Sequence, residues 1–512
     1  MSLPMNQSVS LIESLGAVIP MITVSIGALV VLLVDSLFSD QALKGGEPKS
    51  VRRWPRAFVA FVTLILALIF QLQGVSSAMD GATVFYGSVY VDQFSTIFSV
   101  LILSASILAL VLAIGHLARQ GIKNPGEYYS LFLMSVAGAL LFVSAAEMIT
   151  LFLALEIMSM ALYCMCGSAI GSRRSAESAL KYFLLGSFSS AFLLYGMALL
   201  YGISGSFEFA AITQSLVTAN SGVAVVAGGL ILVGLAFKVG LVPFHFWVPD
   251  VYQGAPTPVT GFMATVIKIA AVAVTLRVLW GPLGGLFDSW SGAVWFLALF
   301  SMTAGNVIAL RQRSIKRMLA YSSIAHAGYM AVALLAPGGQ FGGGPAILFY
   351  LISYTVMTLG SFGVVMAMEG NGPGAGRKGT DDIARYHGLG YSRPFLGALM
   401  ALFMLSLAGI PPGVAGLLAK FYVFSAAVKA DFWGLAIIGM INSAISAYYY
   451  LRVIVAMYFI EPDSEQQDIK ANGQDISASL VGVLGLCAVG VVFLGLFPGF
   501  IIETAGFVFG SI

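Results

Sequence analysis

The sequence predicts an all-α integral membrane protein of about 14 transmembrane helices. They are expected to form two inverted five-helix repeats (helices 4–8 and 9–13), with broken helices 7 and 12. Three observations carry that expectation. Of 512 residues, 59% are hydrophobic and only 9% are charged, against roughly 25% charged in a soluble domain. Such a chain cannot cover a water-facing surface. Its apolar runs reach about 20 residues, long enough to span as helices, and lack the alternation of barrel strands. Finally, its basic residues gather in alternate connections, as the positive-inside rule requires.

The apolar spans fall at 15–38, 56–78, 93–118, 128–145, 147–170, 177–203, 223–254, 257–280, 291–310, 317–336, 345–369, 394–429, 431–460 and 477–505. The opening MSLPMNQSVSLIESL has no basic region before its first apolar run, so no cleavable signal is expected. With both termini outside, the inner connections hold Lys44, Lys49, Arg52, Arg53, Arg56, Arg119, Lys123, Arg173, Arg174, Arg311, Arg313, Lys316, Arg317, Arg377, Lys378, Arg385, Arg393, Arg452 and Lys470. The outer side keeps Lys429, with Arg277 near a helix end. This segregation leaves no basic face for nucleic acid. The remaining basic residues, Lys181, Lys238, Lys268 and Lys420, lie within spans.

Two spans are too long. Residues 223–254 and 394–429 would reach roughly 48–54 Å as straight helices, against a hydrocarbon core of ~30 Å. Each contains a breaker, Val242-Pro243-Phe244 in one and Gly409-Ile410-Pro411-Pro412-Gly413 in the other. Proline removes a backbone donor and clashes with the preceding turn. Lipid cannot satisfy the freed carbonyls, so each break is expected to line a hydrated cavity. The expected organisation is a three-helix segment (1–127), a first five-helix repeat (128–281), a second (282–460), and a final loop and helix (461–512).

A charge at bilayer depth costs at least ~2.5–3.5 kcal/mol on insertion scales and normally marks an ion or proton path. Glu156, in LFLALEIMSMALY, joins Lys238, Lys268 and Lys420 as such a group. Together they point to transport of charge. Histidine is a natural proton carrier. His326, in YSSIAHAGYM, and His245, at the first break, lie near the expected axis, while His116 and His387 read as solvated interfacial residues. Lys181 can serve the same row or pair with Glu177 one turn away. Glu147 reads as an exposed helix end, and Cys164, Cys166 and Cys487 as buried, inert thiols, because their spacing suits neither zinc nor an iron–sulfur cluster. GNGPGAGRKGTDD (370–382) lacks the frame of a phosphate loop and reads as an inner connection.

Five stretches carry a resemblance: LEIMSMALY (155–163), SALKYFLLGSFSSAFLLYG (178–196), AFKVGLVPFHFWVPDVYQGAPTPVTGFMATVIKIA (236–270), RSIKRMLAYSSIAHAGYM (313–330) and LSLAGIPPGVAGLLAKFYVF (405–424). The chain resembles the antiporter-like subunits of respiratory complex I over roughly residues 90–460. Within that family the pattern is most similar to the subunit N branch of bacterial NADH-quinone oxidoreductase, counterpart of mitochondrial subunit 2. The chain ends soon after its last span, without the lateral-helix extension of subunit L, and Lys420 stands where subunit M would carry glutamate.

The resemblance implies a proton channel. Glu156 and Lys238 form its acid–base pair, Lys268 its central relay and Lys420 its exit-side group, with Lys181 a basic position near the glutamate. It implies no cofactor on this chain. NADH, FMN, iron–sulfur clusters and quinone would be used by partner subunits. The partners would be subunit M, small subunits such as K, and membrane lipid, in a bacterial inner membrane. Two other readings stay open: a subunit of a multi-component cation/proton antiporter or membrane-bound hydrogenase, and a non-conducting spacer of the membrane arm.

Overall fold

The computed structural model describes residues 15–40, 54–74, 83–120, 125–218, 222–338, 342–369, 381–461 and 477–509. Lys44, Lys49, Arg52, Arg53, Lys123, Arg377, Lys378 and Lys470, the first 14 residues and most of the 370–382 connection lie outside them. The described chain is helical throughout, apart from a two-stranded antiparallel hairpin pairing Thr83 with Tyr90 and Val84 with Val89.

The helices, in order, are α1 (Ile19–Asp40), α2 (Trp54–Gly74), α3 (Gln93–Gln120), α4 (Pro125–Ser144), α5 (Met148–Cys166), α6 (Arg173–Ser204), α7 (Phe209–Thr218), α8 (Gly222–Val239), α9 (Trp247–Gly254) and α10 (Thr257–Phe262). A π-helical turn, Met263–Ile267, joins α10 to α11 (Lys268–Trp280). Then follow α12 (Phe287–Ala309), α13 (Ile315–Leu334), α14 (Gly343–Met368), α15 (Leu389–Ser392), α16 (Pro394–Ala408), α17 (Val414–Lys429), α18 (Trp433–Tyr458), α19 (Ala478–Leu496) and α20 (Pro498–Phe509).

Twelve described helices are long and apolar enough to cross a membrane. The expected count was higher. Residues 315–334 form a helix of sufficient length that is too polar to be among the twelve, and the 394–429 span is divided into two short halves. The last expected span also divides: its helix stops at Leu496, and Pro498, two residues on, opens a second one.

Both breaks occur where the prolines required them. At each, a glycine takes positive φ, Gly240 at 84° and Gly409 at 81°, a conformation that L side chains resist. The Gly240 and Leu241 amides turn back onto the Ala236 carbonyl, and the Gly409 and Ile410 amides onto Leu405, closing each half-helix.

Burial places the axis of the bundle. The Thr257–Trp280 span is 94% buried and Gly343–Met368 is 89% buried, against 28% for the peripheral α1. The central pair is therefore α10–α11 and α14. At the end of α11 the Arg277 guanidinium lies 2.9 Å from Asp92 and over the rings of Tyr90 and Phe94. Burial alone would push the Asp92 carboxyl up, but Arg277 and Ser95 hold it below its usual range.

Candidate functional site: a row of lysines through the bundle

Three helical faces bring the expected groups inward. On α5, Glu156, Ser159 and Tyr163 share one face at helical spacing. Glu156 accepts from Ser190 Oγ of α6 at 2.6 Å, and Lys238, in the last turn of α8, donates to Ser159 Oγ at 2.6 Å. Ser159 in turn donates to the Leu155 carbonyl. Glu156 and Lys238 thus occupy one site but do not touch; each holds its own serine. The Lys238 ammonium sits 5.6 Å from the Tyr163 ring centre and 5.4 Å from that of Tyr182.

Lys268, where the π turn meets α11, is buried and donates to both the carbonyl and the hydroxyl of Ser323 on α13, at 2.7 and 2.6 Å. It lies 5.6 Å from the Tyr354 ring centre. Lys420, early in α17, donates to the carbonyls of Leu407 (3.2 Å) and Ala408 (2.8 Å) and to Ser443 Oγ (2.9 Å), with the Tyr329 ring centre 5.3 Å away. It is 4% exposed, so it does not reach outward to the membrane surface.

Between Lys268 and Lys420 stands His326. Its Nδ1 is 2.7 Å from Tyr350 OH and its Nε2 is 3.1 Å from Tyr450 OH; Tyr450 OH also meets Ser322 Oγ at 2.5 Å. Ser323, His326 and Tyr329 recur every three residues along α13, so one stripe touches Lys268, the histidine and Lys420 in turn. Aromatic contacts occupy the stretch between Lys238 and Lys268. Tyr182 stacks on Trp247, Trp247 meets Tyr252 edge-on, and the Tyr252 hydroxyl reaches Ser323.

Two expected groups stand apart. Lys181 does not join Glu156. It bonds Glu177 and Asp250, both at 2.7 Å, and Asp250 also holds Arg317, so these residues tie α6, α9 and α13 together at their basic ends. His245 is buried within the first break, and its Nδ1 has no hydrogen-bond partner among the described residues.

Other expectations are corrected. His116 is not solvated: it is 2% exposed and lies 3.0 Å from Glu369, because α3 turns it inward beneath the end of α14. Cys164 is exposed on the outer face of α5, while Cys166 and Cys487 are buried. Glu147 is half-buried and accepts from Thr150. Among the described residues, no group of three His, Cys, Asp or Glu side chains is placed to hold a metal ion.

Sequence reading missed the repeated setting of the lysines, each held by a serine hydroxyl (Ser159, Ser323 or Ser443) and facing a tyrosine ring. The ring supplies a face that attracts the cation. The signal was present in part, since Ser159 and Tyr163 follow Glu156 at i+3 and i+7.

Residues 145–446 match the family model described as NADH:quinone oxidoreductase/Mrp antiporter, transmembrane. The NADH-quinone oxidoreductase subunit N of Trichlorobacter lovleyi is 40% identical over 498 residues, covering 96% of each chain. A chain of respiratory complex I from Thermus thermophilus, solved with bound aureothin, superposes with a TM-score of 0.77 at 32% identity, covering 95% of this chain and 100% of that one. A chain of the Mrp complex from Dietzia superposes with a TM-score of 0.81 over 97% of both, but at 19% identity it shares the fold alone. Similarity over nearly the whole length, at the identity found with the Trichlorobacter protein, goes beyond shared fold: the chain belongs to the family of NADH-quinone oxidoreductase subunit N, antiporter-like multi-pass membrane-arm subunits of complex I.

Proposed function

We propose that this chain moves protons across the membrane along Glu156, Lys238, Lys268, His326 and Lys420, driven by quinone reduction in partner subunits. The observation that carries the reading is the stripe on α13. Ser323 holds Lys268, Tyr329 lies against Lys420, and His326 stands between them over about 9 Å of helix.

The switch is electrostatic. Two unit charges 4 Å apart interact by about 4 kcal/mol at an effective dielectric of 20, roughly three pH units of leverage. Small movements that bring the Glu156 carboxylate toward or away from Lys238 are therefore enough to hold or release a proton. Serine hydroxyls on both groups permit that motion, since each partner keeps a hydrogen bond when the pair is open.

The chain is assigned the proton side of the reaction only. NADH, FMN, the iron–sulfur clusters and quinone are assigned to partner subunits, with subunit M and small subunits such as K as its neighbours. Residues 128–281 and 282–460 are taken as the inverted repeats. The protein is placed in a bacterial inner membrane with both termini periplasmic. The test is proton pumping per electron in the assembled complex carrying Lys268→Met or His326→Gln. A fall in both supports the row, and wild-type stoichiometry in both sinks it.

A further inference from the structure

The buried His116–Glu369 contact belongs to a larger cluster that the lysine row does not use. Glu369, at the end of α14, accepts from Thr257 Oγ1 at 2.5 Å and lies 3.0 Å from His116 Nε2. Lys316 of α13 donates to the same Thr257 hydroxyl at 3.1 Å and to the Ala255 carbonyl at 2.8 Å. One hydroxyl therefore links the two charged groups in a chain Lys316–Thr257–Glu369–His116, drawn from four helices. His116, Thr257 and Lys316 are each at most 5% exposed. Near the cluster, on the side where Arg174, Arg317 and Arg385 gather (the basic face of the bundle), stand Tyr386 and Asp381, the latter held by Ser314, Gln253 and Arg174.

Three helices lead from this cluster to the row. Lys316 and Ser323 lie on one face of α13, about two turns or ~10 Å apart. Thr257 opens the α10–α11 rod and Lys268 follows directly after its π turn. On α14 the Tyr354 hydroxyl lies between Ser323 and Thr358, while Glu369 ends the same helix. The Glu369 carboxyl is met on one side by the His116 imidazole and on the other by the Thr257 hydroxyl, which also holds Lys316. A structural ion pair needs only Lys316; the buried histidine adds a second group of the type that relays protons.

We propose that the His116–Glu369–Thr257–Lys316 cluster is the site that takes up protons from the basic face and recharges Lys268. The inference rests on the reading that protons move along the lysine row. His116 accepts a proton from water at the basic face, with Glu369 balancing its charge. It returns that proton through the gap to Lys268 once Lys268 has passed its own toward His326, so the cluster ends each cycle with the charge it began with.

The test is proton pumping by the intact complex in proteoliposomes, normalised to assembled complex by subunit content. H116A is expected to lose as many pumped protons per electron as K268M. Imidazole and its methylated relatives are expected to restore pumping in the order of their basicity, a dependence that a packing defect would not show. Wild-type stoichiometry in H116A with a loss in K268M overturns the uptake site and leaves the row standing. Wild-type stoichiometry in both overturns the row as well. A loss that no imidazole restores assigns His116 to packing and overturns the proposal. Should H116A fail to assemble, H116Q decides through its pH profile: a changed acid limb supports the proposal, and a wild-type profile overturns it.

Discussion

The two interrupted helices make the same break and close it differently. Each ends its first half at a left-handed glycine, followed by an aliphatic residue and, three positions on, a proline: Gly240-Leu241-Val242-Pro243 and Gly409-Ile410-Pro411-Pro412. Each leaves backbone groups that a continuous helix would have paired. At the first break neutral groups meet them. The Trp247 indole donates to the Phe237 carbonyl at 3.0 Å, and Ser301 Oγ accepts from the Val242 amide at 2.8 Å. At the second, the lysine itself reaches back, and Lys420 donates to both the Leu407 and Ala408 carbonyls.

The difference grades the three lysines. Lys238 makes one hydrogen bond among the described residues, Lys268 two and Lys420 three, which commits all its ammonium hydrogens. Whatever caps the freed carbonyls decides whether the nearby cation is fixed or free to exchange.

The largest effect on stability should come from Lys420→Met, which leaves two buried carbonyls without a donor. At ~1–3 kcal/mol each, the loss is about 2–6 kcal/mol, read as a lower thermal midpoint of the purified complex. Lys420→Arg keeps donors near both carbonyls and should recover part of it. An unchanged midpoint in K420M would remove the capping role. Trp247→Phe is the matching experiment at the first break. It keeps the stack on Tyr182 and removes the indole's bond, leaving the Phe237 carbonyl only the Gly240 amide at 3.2 Å, for about 0.5–1.5 kcal/mol. If it leaves the midpoint where it was, the neutral cap is not what closes that break.

Much of this was legible in the sequence, and the reasons for the rest are physical. The breaks announced themselves because a proline in an over-long apolar run has only one accommodation. Glu156, Lys238, Lys268 and Lys420 stood out because buried charge is costly, and the structure does bring them inward. The caps did not stand out. Trp247, Ser301 and the two carbonyls that Lys420 binds are chosen by tertiary approach, which spacing along one helix does not encode. His116 was misread for the same reason. It sits near the end of a span, where interfacial exposure is the ordinary outcome, and only the packing of α3 under α14 buries it against Glu369. The 263–267 π turn also had no local signature, since no proline or glycine stands within it.

Two smaller changes separate the halves of the comparison. Ser301→Ala takes away the acceptor of the Val242 amide, and should cost about 1 kcal/mol; a cost as large as that of K420M would mean the serine, not the indole, holds the break. The smallest stability effect belongs to Lys238→Met. Methionine fills the volume of the lysine stem, and Ser159 keeps its bond to the Leu155 carbonyl, at 2.5 Å. Only one hydrogen bond is lost, and the midpoint should move by less than about 1 kcal/mol. Pumping per electron should nevertheless fall as far as in K268M, because Glu156 would face a side chain that cannot carry a proton. That pairing of little thermal change with a large functional loss is what a loosely held cation predicts. If K238M instead melts the complex as K420M does, Lys238 is bound as tightly as its counterpart, and the two breaks differ in appearance only.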